Sequence, residues 1–347
     1  MNKDFLIIGQ GLAGSVVALT LISKGYNIHV INNFESNSSS MVAAGIFNPV
    51  TGKQMKKTWN ADKLFPKLHE FYRQAESLTG EKFFNPMDIY RPFLSIQEQN
   101  DWMAKSSQEG YETYIKEISG HSLFNGYVHD EYGGILLAQS GYLDVVNFLG
   151  ATKSFLETKQ AYENAIYDET ALVINEDGIS YKNISAKKII YCNGNEAMNS
   201  QYFGWLPFKP VKGEILLLKN NIPLTKIFNR GVFMVPTENG LCKVGATYDW
   251  KNLNTLPSED ARKELLDKLN KLSPLSFEIK DQIAGIRPAT KDRKPFIGIH
   301  PLHKPLSIFN GLGTKGVSLA PYYAEKFVNF LERKEELHPE VNIIRYF

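Results

Sequence analysis

Short apolar runs alternate with amphipathic stretches along the chain, and the N-terminal segment shows this alternation most clearly. Phe5–Ile8 is a continuous apolar run, which is typical of a parallel strand covered on both faces. Ala18 and Leu21 continue the buried face of a helix, Gly25 ends that helix, and residues 28–31 form a second apolar run. The segment therefore predicts a strand–helix–strand unit.

The remaining patterns predict helices and strands in a mixed order. They predict a helix over 143–156, a buried strand over 187–195, the opening strand of a meander at 210–219, a hairpin over 232–250 with its turn at Glu238–Gly240, an amphipathic helix over 258–272 with Ser258 as N-cap, and a helix over Val317–Leu331. This mixture indicates the α/β class.

Gly9, Gly11 and Gly14 form a G-x-G-x-x-G loop between the first strand and its helix. The first glycine supplies a tight turn, the second lets the backbone approach a pyrophosphate, and the third lets the helix lie close to the strand. The motif alone is weak evidence, but its position between a strand and a helix makes it strong. We therefore expect a bound dinucleotide, with a ligand-free turn as the alternative.

One position departs from the dinucleotide-binding pattern. An acidic residue is expected at the end of the second strand, where it accepts hydrogen bonds from the ribose hydroxyls. This chain has Asn32 there, followed by Asn33. An amide accepts one hydrogen bond and donates another, so we expect dinucleotide binding to be retained. Since no carboxylate stands at this position, it does not exclude a 2′-phosphate.

A second glycine-rich stretch, residues 310–321, leads into the helix predicted over Val317–Leu331. Gly311, Gly313 and Gly316 leave room for backbone N–H groups, and the N-terminus of a helix favours negative charge. The first loop already accounts for a pyrophosphate. The second loop therefore indicates a second electron-rich group, with an ordinary loop as the alternative.

Composition narrows the class of partner. The net charge of +2 is near zero and the basic residues are scattered, which argues against nucleic acid; the densest basic run, Lys53–Lys57, is interpreted as a solvated face. Cys192 and Cys242 are the only cysteines and form no CxxC pair, so neither a disulfide scaffold nor a metal site is expected. His300 and His303 are predicted to lie in a proline-flanked turn.

The apolar stretch Phe5–Ile22 has the length of a signal peptide or a membrane anchor. However, the three glycines of the loop interrupt it, Asp4 precedes it, and no small-residue cleavage site follows it. A buried strand and a packed helix explain the same residues. We therefore expect no membrane span and a cytoplasmic location.

Seven motifs, in the same order, resemble those of the D-amino-acid-oxidase-like FAD-dependent oxidoreductases, particularly the glycine oxidases. They are IIGQGLAG (7–14), AAGIF (43–47), IIYCNGN (189–195), PVKGE (210–214), VFMVPTENGLCKVGAT (232–247), GIRPATKDRKPFIG (285–298) and NGLGTKGVSLAP (310–321). The resemblance implies a Rossmann-type FAD-binding domain with an interleaved antiparallel-sheet substrate domain. It places the FAD-binding domain at 1–80, 141–205 and 283–347, and the substrate-binding domain at 81–140 and 206–282; residues 100–140 match least.

The resemblance also explains the second glycine-rich loop. In the family this loop wraps the pyrimidine end of the flavin, and the following helix points at N1 and the C2 carbonyl. Reduction places negative charge there, which a helix N-terminus stabilises. NAD would leave this loop unused. The implied FAD-binding residues are Gly9, Gly11, Leu12, Ala13, Gly14, Asn32, Asn33, Ser40, Ala43, Ala44, Gly45, Asn193, Gly194, Gly285, Gly313, Thr314, Lys315, Gly316 and Val317. Since no cysteine follows Cys242, we expect non-covalent binding.

On the substrate side, residue chemistry and the resemblance agree on Arg287. Its guanidinium suits a carboxylate, and the arginine of this motif holds the substrate carboxylate in the family. A structural ion pair with a protein carboxylate is the alternative. The resemblance places Tyr248 at the pocket wall, and Lys315 adds positive charge near the flavin. Phe233 replaces a tyrosine of the glycine oxidases, which favours an amine larger or more apolar than glycine.

These observations predict an FAD-dependent amine or amino-acid oxidase or dehydrogenase. Its substrate is a small amine with a carboxylate, hydride passes from the carbon next to nitrogen to flavin N5, and oxygen or an electron carrier reoxidises the flavin. Two alternatives stay open. The chain also resembles the FAD domain of the bifunctional enzyme that modifies the tRNA wobble uridine to 5-methylaminomethyl-2-thiouridine. A non-catalytic FAD-binding module is the other alternative.

Overall fold

The computed structural model describes residues 1–51, 56–219, 221–237 and 240–347. Within these ranges the chain forms two eight-stranded sheets, two small sheets and seven α-helices. The α-helices are α1 (Leu12–Ser23), α2 (Ser39–Val42), α3 (Ala61–Thr79), α4 (Ile96–Ser106), α5 (Val145–Thr158), α6 (Glu259–Leu272) and α7 (Gly316–Leu331). Short 3-10 helices lie at Glu169–Ala171, Gly194–Asn199 and Ile343–Tyr346.

The strands are, in chain order, β1 (Asn2–Ile8), β2 (Ile28–Asn32), β3 (Ile46–Phe47), β4 (Val50–Thr51), β5 (Lys56–Lys57), β6 (Phe84–Pro86), β7 (Ile89–Pro92), β8 (Ile115–Ser119), β9 (Gly134–Leu137), β10 (Gly141–Leu143), β11 (Tyr162–Asn164), β12 (Leu172–Ile174), β13 (Ile179–Tyr181), β14 (Ile184–Tyr191), β15 (Val211–Lys219), β16 (Ile227–Arg230), β17 (Val232–Pro236), β18 (Leu241–Gly245), β19 (Glu278–Arg287), β20 (Phe296–Ile299) and β21 (Leu306–Asn310).

The first sheet has the Rossmann-type arrangement that the N-terminal pattern predicts. Strands β11, β2, β1, β14 and β21 run parallel, and α1 connects β1 to β2. Alternate residues of β1 enter different cores, as the two-residue period of a strand requires. Ile7 packs with α1 and α7, whereas Leu6 packs with Tyr191 and Phe203 on the opposite face. Both faces are therefore covered, which explains the continuous apolar run.

The second sheet is mainly antiparallel and has the order β19-β15-β18-β17-β16-β7-β9-β8, in which only β16 and β7 pair in parallel. Leu265 and Leu269 of α6 pack on one face, against Leu216 and Val244. On the other face, Ile215 packs against residues of the 42–46 segment. The predicted α/β class, with a Rossmann-type unit and a sheet-rich second unit, is therefore confirmed.

The predicted domain limits stay a prediction, and one strand runs across the limit at 283. β19 spans Glu278–Arg287 and lies wholly in the second sheet, although 283 was expected to begin an FAD-binding segment. The strand expected over 187–195 also ends earlier, at Tyr191, and Gly194, with φ of +57°, begins a 3-10 helix. Asn193, with φ of -86° and ψ of 22°, has already left the extended conformation before this glycine.

Local features at the ends of elements agree with the sequence pattern. Gly25 follows the C-terminus of α1 with φ of +85°, and Ser258 caps α6 by accepting a hydrogen bond from the Ala261 N–H. The His300 Nδ1 accepts hydrogen bonds from the backbone N–H groups of Leu302 and His303, which agrees with a turn. Part of the predicted hairpin turn, Glu238–Asn239, and part of the basic run, Lys53–Met55, lie outside the described residues.

No helix in the described part of the chain is long and apolar enough to cross a membrane. Nor do the described residues contain a group of three or more histidine, cysteine, aspartate or glutamate side chains that could hold a metal ion.

A buried polar network fastens α6 to the second sheet. The Glu214 carboxylate, on β15, is 3% exposed and accepts hydrogen bonds from Ser258 N and Oγ, both at 2.9 Å, and from Gln282 Nε2 at 2.7 Å. Lys212 Nζ, also on β15 and equally buried, lies 3.2 Å from the same carboxylate. Removing one member of such a pair leaves the other charge uncompensated in the interior.

Glu214→Ala is therefore expected to lower the free energy of unfolding by about 3 kcal/mol, because Lys212 remains buried without its carboxylate. Chemical denaturation of the flavin-bound protein measures this change. Glu264→Ala is the matched control, since Glu264 is 46% exposed in its pair with Lys268 on α6 and should contribute less than about 1 kcal/mol. Equal losses in the two variants would contradict the prediction.

Candidate functional site

A cavity of about 1140 Å³ lies at the carboxyl ends of β1, β2 and β14 and extends to the second sheet. This end of a parallel sheet is where α/β proteins bind nucleotides. All predicted site residues except Gly14 line it, including Arg287, Tyr248 and Lys315, although they come from distant parts of the sequence. A Cβ on Gly14 would lie 1.9 Å from the Gly9 carbonyl oxygen, so Gly14 allows α1 to approach β1 and does not face the cavity.

The first glycine-rich loop leaves the N-terminus of α1 open to a ligand. Gly9 has φ of +92°, and a Cβ there would lie 2.8 Å from the Cys192 carbonyl oxygen, so only glycine suits this turn. Gly11 is the N-cap and provides no side-chain cap, and the first turn contains no acidic residue. Ser40 Oγ accepts the Leu12 N–H at 3.0 Å. The remaining charge at this helix end is positive and suits a phosphate.

Asn32 braces the first loop. Its Oδ1 accepts a hydrogen bond from the Gln10 N–H at 2.8 Å, and its Nδ2 lies 3.4 Å from the Tyr162 hydroxyl.

Two carboxylates that the sequence did not single out, Glu35 and Glu196, line the cavity after β2 and β14. Partial burial and the charge of Glu35 raise the pKa of Glu196. Carboxylates are therefore present at this end of the cavity, although none stands at position 32.

The second glycine-rich loop packs directly against the first. A Cβ on Gly316, at the start of α7, would lie 2.7 Å from Leu12 Cδ2, at the start of α1. Gly311 and Gly313 have φ of +72° and +56°, and the Asn310 side chain donates to the Gly194 carbonyl at 2.9 Å. The first turn of α7 contains no acidic residue. Two helix N-termini with uncompensated N–H groups thus border the same cavity.

The segment after α2 provides a backbone wall. Gly45 has φ of +72°, and a Cβ there would lie 1.9 Å from the Leu143 carbonyl oxygen. A Cβ on Gly285 would lie 3.1 Å from Val42, so β19 also approaches this segment closely. Ala43 and Ala44 line the cavity between these contacts. Small residues keep this wall flat enough for a planar ring system.

Buried acceptors without partners complete the cofactor side. Asn193 Oδ1 and Asn195 Oδ1 are fully buried and have no hydrogen-bond partner among the described residues, and both residues line the cavity. A buried acceptor without a partner costs about 1–3 kcal/mol, which a donor of a bound ligand would recover. The two helix N-termini, the flat wall and these acceptors fit the pyrophosphate, ring and hydroxyl groups of FAD.

Arg287, at the end of β19, is a cavity-lining cation that has no acidic partner among the described residues. Its guanidinium donates to the Thr247 carbonyl at 3.3 Å and lies 4.8 Å from the centroid of the Tyr248 ring. No carboxylate of the described residues lies within 4.0 Å of it, so a structural ion pair is not found in this part of the chain. Burial lowers the pKa of Arg287. The group therefore favours binding of an anion from the cavity.

Gly213 makes room for this guanidinium, a role the sequence reading missed. A Cβ at Gly213 would lie 2.3 Å from Arg287 Cζ and 2.1 Å from its Nη2. Gly213 belongs to the PVKGE motif, and a glycine inside a strand is the signal that another group approaches the backbone closely.

Two lysines border the cavity region without carboxylate partners among the described residues. Lys315 Nζ donates to the hydroxyl of Thr58 at 3.1 Å and lies 3.5 Å from that of Thr51. Lys243, which the sequence did not single out, donates to the Ala43 carbonyl at 3.1 Å. Burial lowers the pKa of both lysines. Neither of the hydroxyls nor the carbonyl carries a charge. The charge of Asp144 acts on the pKa of Lys243 in the direction opposite to burial and partly offsets the positive potential of that lysine, whereas burial alone acts on the pKa of Lys315.

Comparisons with known proteins agree with this geometry. The family model described as FAD dependent oxidoreductase matches residues 4–329. The chain is 26% identical over 365 residues to the glycine oxidase of Bacillus subtilis strain 168, which covers 96% of this chain and 94% of that protein. It is 24% identical over 347 residues to the tRNA 5-methylaminomethyl-2-thiouridine biosynthesis bifunctional protein of Idiomarina loihiensis, covering 93% of this chain but 55% of that protein.

A solved structure has the same fold. The glycine oxidase of Geobacillus kaustophilus superposes with a TM-score of 0.80 at 18% identity, over 98% of each chain. The correspondence extends over both sheets and not merely over the Rossmann-type unit.

Asn32→Ala is expected to weaken FAD binding about tenfold, because the Gln10 N–H loses its acceptor and the first loop loosens. Asn32→Asp keeps that acceptor and should bind FAD within about threefold of the parent protein. Fluorescence quenching of FAD by the deflavinated protein measures both affinities. Equal weakening in the two variants would show that the Asn32 Nδ2 donor, and not Oδ1, supports the site.

Proposed function

The chain belongs to the family of FAD dependent oxidoreductases, and on this premise we propose that it oxidises an amine or amino acid that carries a carboxylate. The observation that supports the carboxylate most directly is Arg287, a cavity-lining guanidinium with no acidic partner among the described residues. A guanidinium binds a carboxylate through two parallel hydrogen bonds, which fixes orientation as well as position.

The chain's own residues orient the substrate. The backbone at Gly213, the Thr247 carbonyl and the Tyr248 ring hold the guanidinium in place, so little conformational entropy is lost when a carboxylate binds. When bound, FAD accepts a hydride at N5 from the carbon next to the substrate nitrogen. The protein therefore needs an anchor for the substrate more than it needs a strong acid or base.

The wall near Arg287 favours the uncharged amine. Ile215, Phe233 and Ala246 line the cavity, and the only carboxylates among the described lining residues are Glu35 and Glu196, at the carboxyl ends of β2 and β14. An apolar wall disfavours an ammonium ion, so it lowers the pKa of a bound amine. The substrate nitrogen thereby keeps the lone pair that develops into the imine.

Two relatives suggest different substrates for this site. The B. subtilis relative is named a glycine oxidase, but Phe233 here provides no hydroxyl at the wall and favours a larger amine. The I. loihiensis relative is named for tRNA modification, which makes a tRNA-linked amine the second candidate. The net charge of +2 gives little support for tRNA binding. A gel-shift assay with tRNA distinguishes the candidates, because only the second requires a complex.

Arg287→Ala is expected to lower kcat/KM for carboxylate-bearing amines by at least about 100-fold, mainly through KM, while FAD remains bound. Anaerobic mixing with glycine, sarcosine, D- and L-amino acids and carboxymethyl-amines, followed by flavin bleaching, measures the reaction. Gly213→Ala should show the same pattern, since its Cβ displaces the guanidinium. Unchanged KM in both variants would contradict a carboxylate anchor.

We also propose that Lys315 stabilises the reduced flavin through its charge. Lys315 precedes α7, and its ammonium is held only by the uncharged hydroxyls of Thr51 and Thr58 among the described residues. A buried cation without a counter-ion acts over a longer range than a solvated one. Its charge would add to that of the α7 N-terminus.

Lys315→Met is expected to lower the two-electron reduction potential of bound FAD by about 30 mV, the equivalent of about 1.4 kcal/mol. Lys315→Arg retains the charge and should leave the potential nearly unchanged. Equilibration with a redox dye of known potential measures both variants. A Lys315→Met potential equal to that of the parent protein would show that the charge does not act on the flavin.

A further inference from the structure

Two large aromatic side chains stand exposed beside the cavity. Tyr248 and Trp250 are 53% and 55% exposed, and their rings stack with a centroid separation of 6.0 Å and an interplanar angle of 24°. Tyr248 also lines the cavity. Large aromatic rings are more stable when buried than when exposed to water. An exposed, stacked pair beside a cavity therefore indicates a ligand that covers the rings when it binds.

The segment that carries these rings is well anchored. The Asp249 backbone forms an antiparallel bridge with Lys212, and its carboxylate accepts the N–H groups of Lys251 and Asn252. Lys212 Nζ donates to Asn254 Oδ1 at 3.1 Å. Asn37 Nδ2 donates to Thr255 Oγ1 at 2.8 Å, which ties the far end of the segment to the first sheet's side of the cavity. The exposure of the rings is therefore built into the fold.

The stacked pair is continuous with the proposed carboxylate anchor. The Arg287 guanidinium lies 4.8 Å from the Tyr248 ring, and the Tyr248 ring lies 6.0 Å from that of Trp250. A carboxylate held by Arg287 thus places the rest of its molecule beside Tyr248. A glycine unit ends a few bonds from its carboxylate, whereas a substituent on its nitrogen lengthens the molecule and offers a group that the stacked pair could contact.

We propose that Tyr248 and Trp250 form a subsite for a planar aromatic substituent on the substrate nitrogen, so that the preferred substrates are N-arylalkyl glycines. This inference rests on the proposed function, because Arg287 must hold the glycine carboxylate. The glycine α-carbon would give up a hydride, which carries both electrons, to the flavin, and the nitrogen would lose its proton to leave the imine. Water then hydrolyses the imine to glyoxylate and the arylalkyl amine. Stacking on Tyr248 and Trp250 selects the aromatic substituent.

The test compares three amines that share the glycine unit: sarcosine, N-benzylglycine and N-(cyclohexylmethyl)glycine. Anaerobic stopped-flow reduction of the flavin-bound protein gives the dissociation constant and the limiting rate for each. N-benzylglycine is expected to bind about tenfold more tightly than sarcosine, with the cyclohexyl compound between them, because only the planar ring stacks. Equal binding of the benzyl and cyclohexyl compounds would overturn the aromatic preference.

Trp250 is the position to vary, since it does not line the cavity. Trp250→Ala should remove most of the tenfold gain and leave the dissociation constant of sarcosine and all limiting rates unchanged, whereas Trp250→Phe should retain the gain. The absorbance ratio of flavin to protein confirms that both variants are loaded. A gain for N-benzylglycine that survives Trp250→Ala would overturn the subsite.

The outcome separates this inference from the proposed function. If sarcosine reduces the flavin but N-benzylglycine binds no better, the amine oxidase stands and the aromatic subsite falls. If no amine reduces the flavin, the proposed function falls, and binding of two redox-inactive thioethers still tests the subsite. Benzylthioacetate should then perturb the flavin spectrum at a concentration about tenfold lower than methylthioacetate, and equal affinities would overturn the subsite.

Discussion

The contact between the two glycine-rich loops is the constraint on which the rest of the site depends. Gly316 lies against Leu12, so the starts of α7 and α1 meet although they belong to opposite ends of the sequence. A Cβ at position 316 would lie 2.7 Å from Leu12 Cδ2 and would force the Leu12 side chain to move. The closeness of the two helix starts allows one cavity to contain two uncompensated helix N-termini, which suits a ligand with negative charge at two separate places. A single dinucleotide phosphate group would require only one of them.

The proposed substrate side depends on a charged side chain that the described residues leave without a counter-ion. Arg287 lines the cavity without a carboxylate from the described residues, so the free protein retains a partly buried charge that a ligand can neutralise. A protein carboxylate at the same place would neutralise this charge and occupy the anion site. In the proposed carboxylate anchor this charge is left for the ligand, and such a local departure from the most favourable pairing is typical of functional sites.

The sequence predicted the parts of this site that depend on local pattern. The first glycine loop, the helix that ends at Gly25, and the N-cap at Ser258 all follow from rules about neighbouring residues. The packing of Gly316 on Leu12 and the space that Gly213 leaves for Arg287 are contacts between residues far apart in the sequence. The carboxylates of Glu35 and Glu196 were missed for the same reason. Asn32 lines the cavity and stays a predicted ligand residue, and its amide oxygen also accepts a hydrogen bond from the first loop, which only the tertiary structure reveals.

Side chains alternate along β15, so one face of the strand carries a buried ion pair and the other face leaves space for a cation. Lys212 and Glu214 point toward the α6 side and form a buried ion pair, while Gly213 between them supports Arg287. A shift of the strand by one residue would exchange the two faces. It would bring a carboxylate or an ammonium group against the guanidinium, so the anion site would be either filled from within or repelled. An insertion or deletion within residues 212–214 would therefore disturb both faces at once, whereas β15 has an irregular register only further along, between Leu217 and Leu218.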